Sequence, residues 1–444
     1  MNAAYAARRD ALVAALARAD APVRLAKDTS NLFRDRAEAE RARLDVRGFR
    51  NVLSADREVG CFDAEGMTPY GDLVAALLAK GVMPAVVPQL KSITIGGAVA
   101  GVGIESSSFR YGLVHETIEE MDILAGDGRV VTAAPDNEHR DLFFGFPNSY
   151  GTLGYALRVK GRALPVKRFV RLEHVHHDDP TRFFGNLAAV CASTADFVDG
   201  VVFGPREMAL TVGRFVDEAP YASDYTFENV YWRSIAEREE DFLSTADYLW
   251  RWDTDWFWCS KNLYAQNPLV RRLLGRGRLN SVFYAKVMRW NSRVGLTRLR
   301  DRLLGLHPES VIQDVDIPIE RAGDFLAFLL DEIGILPIWI CPIRMHRRDA
   351  RFPLYPLDPA VLYVNFGFWD TVRTREAHSA GHFNRLVERK VGELGGIKSL
   401  YSDSYFERDV FWSIYDREAY AALKARYDPR GRFPDLYEKT VLRQ

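Results

Sequence analysis

The sequence has little of what would tie it to metals, disulfides or a membrane span. Its four cysteines, Cys61, Cys191, Cys259 and Cys341, are far apart and form no CxxC. That spacing argues against zinc and iron–sulfur frameworks, so no metal site is expected, and it suits a reducing cytoplasm. No run of about 18 apolar residues occurs, so no membrane-spanning helix is expected. The N-terminal stretch MNAAYAARRDALVAALARAD carries arginines but no continuous apolar core, and reads as an amphipathic helix rather than a signal peptide. The net charge of -1 points to no nucleic-acid partner. Internal repeats and low-complexity tracts are missing as well, and the oligomeric state has no signature.

What is present is a globular composition, 48% hydrophobic and 27% charged over 444 residues, enough for two or three domains at ~150 residues each. The most distinctive stretch is Val86–Leu113, VVPQLKSITIGGAVAGVGIESSSFRYGL. Gly96, Gly97, Gly101 and Gly103 lie within eight residues, followed by Ser106, Ser107, Ser108 and the pair Tyr111-Gly112. Glycine lets a ligand approach bare backbone, and successive N–H groups in such turns bind anions. The stretch therefore reads as a cradle for a large, flat, phosphate-bearing molecule. A polar loop bracketed by cations, Lys27-Asp28-Thr29-Ser30-Asn31-Leu32-Phe33-Arg34, and a second glycine cluster, Gly151-Thr152-Leu153-Gly154, accompany it.

Periodicity predicts helices over 4–19, 180–193, 320–333, 374–394 and near 416–426, and strands over 83–87, 156–164, 166–176, 197–215, 311–318, 336–343 and 360–367. Asp127-Gly128 between two apolar runs predicts a hairpin. At Pro165 the glycine-rich texture gives way to an α+β layer containing the aromatic run 221–262. Residues 268–304 then carry ten Arg or Lys against one acid, Asp301, with leucines and aromatics interleaved.

Read together, Gly96-Gly97, Gly103-Ile104-Glu105-Ser106-Ser107-Ser108, Tyr111-Gly112-Leu113, Ala125-Gly126-Asp127-Gly128, Gly151-Thr152-Leu153-Gly154, Trp339-Ile340-Cys341-Pro342 and Phe433-Pro434-Asp435-Leu436-Tyr437 resemble the flavoproteins of the vanillyl-alcohol-oxidase (PCMH) type, and most of all the sterol Δ24-reductases and their soluble bacterial relatives acting on fatty acyl chains. The resemblance implies an α+β fold: a two-subdomain FAD-binding domain at 1–165, a cap domain with an antiparallel sheet at 166–395, and a segment returning to the FAD domain at 396–444. It implies that FAD is held by Lys27, Thr29, Ser30, Asn31, Gly96, Gly97, Gly101, Gly103, Ile104, Glu105, Ser106, Ser107, Tyr111, Gly112, Gly151, Thr152 and Gly154, with Lys398 and Tyr401 returning to the flavin edge. The histidine that links FAD covalently in some relatives is missing from 27–34, so the expected FAD is non-covalent.

The chemistry so implied is hydride transfer to or from a carbon–carbon bond of a lipid, with an acid serving the other carbon. Reduction of a methylene-branched acyl chain or a sterol side chain is one form; dehydrogenation of a methyl-branched chain, or an alcohol or aldonolactone oxidase, are the alternatives. Candidate acids and charge stabilisers are Tyr405, Glu407, Tyr363 and Lys398, with His382 behind them. Trp339, Cys341, Phe366, Phe368 and Trp369 are candidate walls of an apolar tunnel. No second G-x-G-x-x-G unit follows a strand, so NADPH, as candidate donor, would have to bind at the flavin face. A methyltransferase or a separate electron donor is a candidate partner. The basic segment 268–304 suits peripheral contact with an anionic membrane on its inner face.

Overall fold

A computed structural model describes residues 3–19, 22–28, 33, 42–294 and 296–444, leaving aside the side chains of 289, 291–294, 296, 298 and 299. Two large sheets divide the chain. The first runs, in spatial order, Val52–Asp56, Cys61–Glu65, Tyr155–Pro165, Ile118–Leu124 and Val130–Ala133, with Val82–Pro84 also pairing Tyr155–Pro165. The expected hairpin forms, with Leu124 opposite Val130 and Gly128 at φ 95° in the turn. A small parallel pair, Val23–Ala26 with Ala42–Asp45, stands beside this sheet.

The second sheet starts just past Pro165. Its eight strands run Glu240–Ser244, Phe169–His177, Glu207–Val216, Phe197–Gly204, Ile338–Ile343, Tyr363–Thr374, His307–Pro318 and Ile397–Lys398, and among the described residues its neighbouring strands pair antiparallel. One face buries Val311, Val315, Ile317, Phe366 and Phe368 beneath the helices Pro180–Cys191, Ala322–Phe328 and His382–Glu393. Alternation along a strand sends every second side chain to the opposite face. That corrects part of the expected tunnel wall: Phe366 and Phe368 belong to the helix-covered core, while Trp339 and Trp369 face the first sheet's domain. It also corrects two lengths, since the strand expected over 360–367 continues to Thr374 and the following helix begins only at His382.

After the last strand, the helices Arg408–Ile414, Arg417–Tyr427 and Leu436–Thr440 pack back on the first domain. Lys424 Nζ donates to Thr152 O, Tyr427 OH to Asp141, Lys439 Nζ to Tyr150 O, and Arg432 to Leu16 O. Among the described residues no helix is long and apolar enough to cross a membrane.

Candidate active site

Between the two domains lies a cleft of about 360 Å³. Its floor is glycine. Thr94 caps the short helix Ile95–Ala100 by accepting from Gly97 N, so the backbone of Gly96, Gly97, Gly101, Gly103 and Ile104 forms one wall. Gly96 has no alternative here: a Cβ would sit 2.8 Å from Gly66 O and 3.3 Å from Ala156 O, so the helix could not settle on the sheet. Gly151, Gly154, Lys27 and Phe33 continue this side. Phe33 N donates to Tyr401 O, fastening the first loop to the returning segment. Thr29, Ser30 and Asn31 lie outside the described residues.

The opposite wall is aromatic: Trp256, Phe257, Trp339 and Trp369, with the rings of Phe257 and Trp369 4.3 Å apart. Trp256 and Phe257 both adopt positive φ (45° and 59°), a conformation that costs bulky residues about 1–3 kcal/mol each and persists only when clasped from outside. The clasps are flanking acids. Asp253 accepts from Lys91 N (3.0 Å) and Ser281 Oγ (2.6 Å), and Asp255 pairs with the buried Arg271 (2.6 Å).

Two cross-strand rows back the wall, of which Trp339, Asp314, Asn365 and Asp316 line the cleft while Gly367 and the expected wall residue Cys341 do not. Trp339, Gly367 and Asp314 stand side by side, and next to them Cys341, Asn365 and Asp316. Asp316 is fully partnered, accepting from Tyr355 OH and Asn365 Nδ2 at 2.7 Å each. Asp314 meets the hydroxyl of Tyr401, which accepts from Trp369 Nε1 at 2.8 Å, while its Oδ1 is buried with no hydrogen-bond partner among the described residues. Burial, with Asp316 adding to it, pushes the Asp314 carboxyl up to about 7; burial pushes Asp316 up to about 6.

Several expected site residues are engaged away from the cleft. Glu105 pairs with Arg251 (2.7 Å), Ser106 Oγ lies 2.9 Å from Tyr248 OH, and Ser107 Oγ donates to Ala85 O. This serine-rich turn therefore ties residues 248–251 to the loop that follows Val82–Pro84. Tyr111, Gly112 and Thr152 are not among the lining residues either: Gly112 turns at φ 73° against Glu116, and Thr152 Oγ donates to Ser149 O. Lys398 is buried against Glu388 (2.7 Å) and Asp403 O (2.5 Å), ordering the returning loop from behind. Tyr405 OH accepts from Arg443, Tyr363 OH accepts from Asp358 N, and Glu407 is an exposed residue preceding the helix Arg408–Ile414. His382 stacks on His378 at 4.4 Å, away from the lining residues. Tyr401 lines the cleft.

A family profile described as an FAD binding domain matches residues 4–134. The chain is 27% identical over 412 residues to the Delta(24)-sterol reductase of Homo sapiens, covering 88% of this chain and 76% of that one. It is 26% identical over 448 residues to the Delta(24)-sterol reductase of Arabidopsis thaliana (91% and 78%). Cytokinin dehydrogenase 7 of Oryza sativa subsp. japonica matches over 145 residues at 28%, only 32% of this chain. The chain is an FAD-dependent oxidoreductase.

The cleft suits that cofactor. Bare backbone at Gly96–Gly97 and Gly101–Ile104, with the cations Lys27 and Arg24, matches a pyrophosphate-bearing ligand. Gln89 Nε2 and Asn365 Oδ1, both on lining residues, are buried without partners among the described residues, a donor and an acceptor available to a heteroaromatic edge. Bound there, FAD supplies hydride chemistry, and the protein supplies orientation and proton control. Sequence reading passed over Asp314 and Asp316. Their signal was two acids two apart in a strand, Val311-Ile312-Gln313-Asp314-Val315-Asp316-Ile317, flanked on the alternate positions by the apolar Val315 and Ile317.

Proposed function

We propose that the enzyme transfers hydride between FAD and a carbon–carbon double bond of a lipid, reducing a methylene-branched acyl chain or a sterol side chain. The observation that carries this reading is the wall facing the FAD-binding glycines: four large aromatic side chains, Trp256, Phe257, Trp339 and Trp369, beside Tyr401, Asn365 and two carboxyls that burial pushes toward the neutral form. Such a surface takes up an apolar chain and offers it a proton source. The similarity to enzymes named as sterol reductases supports the direction of reduction.

A lipid must also reach the cleft. The helix Pro268–Leu274 exposes Leu269 (69%) and Leu273 (82%), with Trp290 exposed on the helix Ser281–Val294 and Arg272, Arg276 and Arg278 also at the surface. Exposed apolar side chains among cations suit an anionic bilayer, each cation contributing about 1 kcal/mol. Arg271 is no part of this surface, because it is buried against Asp255. The side chains of Arg289, Arg293 and Arg298 lie outside the described residues.

The test is anaerobic. The holoenzyme is reduced with NADPH or, failing that, dithionite, then mixed with phosphatidylglycerol vesicles whose acyl chains carry a methylene branch. Return of the flavin band with formation of the methyl-branched chain is expected. Reoxidation by air as fast as by any lipid would replace the reading with an oxidase.

A further inference from the structure

We propose that the carboxyl group of Asp314 is the proton donor of the reduction, protonating the alkene carbon adjacent to the one that receives hydride. The proposal rests on the reading of the enzyme as a C=C reductase and assigns its acid.

Geometry singles Asp314 out. It lines the cleft and stands directly opposite Gly367 on the neighbouring strand. A Cβ at position 367 would lie 2.7 Å from Asp314 Oδ1 and 2.7 Å from the Trp369 ring, so the glycine lets the carboxyl rest beside the indole. There Oδ1 is buried and unpartnered among the described residues. An ionised oxygen so placed would lose its hydration without compensation, whereas a neutral carboxyl loses far less. Two titratable neighbours face it. Asp316, on the same strand, disfavours its ionisation; Tyr401, from the returning segment, favours ionisation through its hydroxyl. Burial is the largest influence, and the carboxyl stands at about 7, where a general acid works best near neutral pH.

The other carboxyl of the wall is less suited, because both Asp316 oxygens accept strong hydrogen bonds. Tyr401 is a positioning residue: its oxygen accepts from Trp369 Nε1, leaving its own proton for the Asp314 carboxyl.

The step balances. Hydride from reduced FAD forms one new C–H bond. The π electron pair forms the other with the Asp314 proton, the O–H bond breaks, and the carboxylate regains a proton from solvent. The alkene is reduced by two electrons and the flavin oxidised by two. In the dehydrogenation direction the same carboxylate is the base.

Two measurements on holoenzyme test this. In infrared titration, Asp314→Asn should lose the carboxyl C=O band that titrates near pH 7, while Asp316→Asn keeps it. In stopped flow, dithionite-reduced enzyme is mixed with the methylene-branched phosphatidylglycerol vesicles in D2O. Asp314→Asn should retain bound flavin and its reduction by dithionite, yet slow lipid-driven reoxidation on the order of 10²–10⁴-fold, with deuterium no longer delivered at the second carbon. Asp316→Asn should lose less.

The rate needs protonated Asp314, so it falls as pH rises through about 7. Tyr401→Phe removes the hydrogen bond that favours the carboxylate and should move this limb to higher pH, a shift that a purely structural role would not produce. A reoxidation rate within threefold of wild type in Asp314→Asn, or an unmoved limb in Tyr401→Phe, overturns the assignment. Should the wild type itself fail to reduce these vesicles, the lipid reading falls, and the infrared titration decides on Asp314 alone: a band that survives in Asp314→Asn overturns the proposal.

Discussion

Two pairs of buried acids lie on either side of the Trp339 indole, and they are treated in opposite ways. Glu105 and Asp199 close on the fully buried guanidinium of Arg251, at 2.7 and 2.8 Å. Burial works against that charge, but Tyr248, Glu105 and Asp199 outweigh it and hold Arg251 cationic. Trp339 Nε1 donates to the same Asp199, so one indole joins this clamp to the cleft wall. Asp314 and Asp316, on the other side, are met by Tyr401, Tyr355 and Asn365, all neutral. Burial pushes the Glu105 carboxyl up as well, but there the Arg251 cation opposes it; an acid closed on a cation serves as structure, whereas one met by neutral donors keeps its proton within reach of chemistry.

The largest effect should come from removing the cation. Arg251→Ala leaves two acids, Glu105 and Asp199, buried without their counter-charge. A loss of about 3–5 kcal/mol is expected in denaturant unfolding of the holoenzyme. A loss below ~1 kcal/mol would mean that the clamp is ornamental and the contrast false. Gly367→Ala attacks the second pair instead. Its methyl would meet the Asp314 carboxyl and the Trp369 ring at 2.7 Å, so an overpacking cost of about 1–3 kcal/mol is expected, with a changed near-UV spectrum as the indole moves.

The third effect is a slope. The Asp314 and Asp316 carboxyls stand at about 7 and about 6 in the folded chain, against an ordinary 3.8. Between about pH 4 and pH 7 the native protein thus holds protons that the unfolded chain has released. Their contribution is favourable at the acid end and is lost as pH rises. Each carboxyl adds at most about 1.4 kcal/mol per pH unit to that decline. Asp314→Asn should flatten the stability curve between about pH 5 and pH 7, leaving the remainder to Asp316. An unchanged curve would show that Asp314 is ionised in the native protein.

Much of this was legible beforehand, and the limits have a physical pattern. A local signal held: the Asp127-Gly128 hairpin is decided within a few residues of chain. Partnerships across the fold were not legible. Glu105 lies in the most distinctive motif of the sequence, yet its partner Arg251 is 146 residues away, so a segment read as cofactor-binding is partly a domain fastening. Lys398, a cation placed near the flavin edge by motif position, is instead buried against Glu388. Asp314 needed both the strand period and the register that sets it opposite Gly367, and only the first can be read from one strand.

The smallest effect comes from adjacent arginines that repeat the contrast at the surface. Arg271 is buried, bonded to Asp255 and to the carbonyls of Phe227 and Ala265, and so helps hold the strained Trp256-Phe257 turn. Arg272, one residue on, pairs with Glu228 at 3.7 Å, and both partners are largely solvated. A solvated pair at that distance contributes little, so Arg272→Ala should change stability by less than about 0.5 kcal/mol. It removes one cation from the exposed face that carries Leu269 and Leu273, however, and that should weaken partitioning onto phosphatidylglycerol vesicles about fivefold, the equivalent of about 1 kcal/mol. Sedimentation with vesicles at two salt concentrations reads it directly, since a loss that vanishes at high salt is electrostatic. A change in stability with no change in partitioning would move Arg272 to the structural side of the comparison, beside its neighbour.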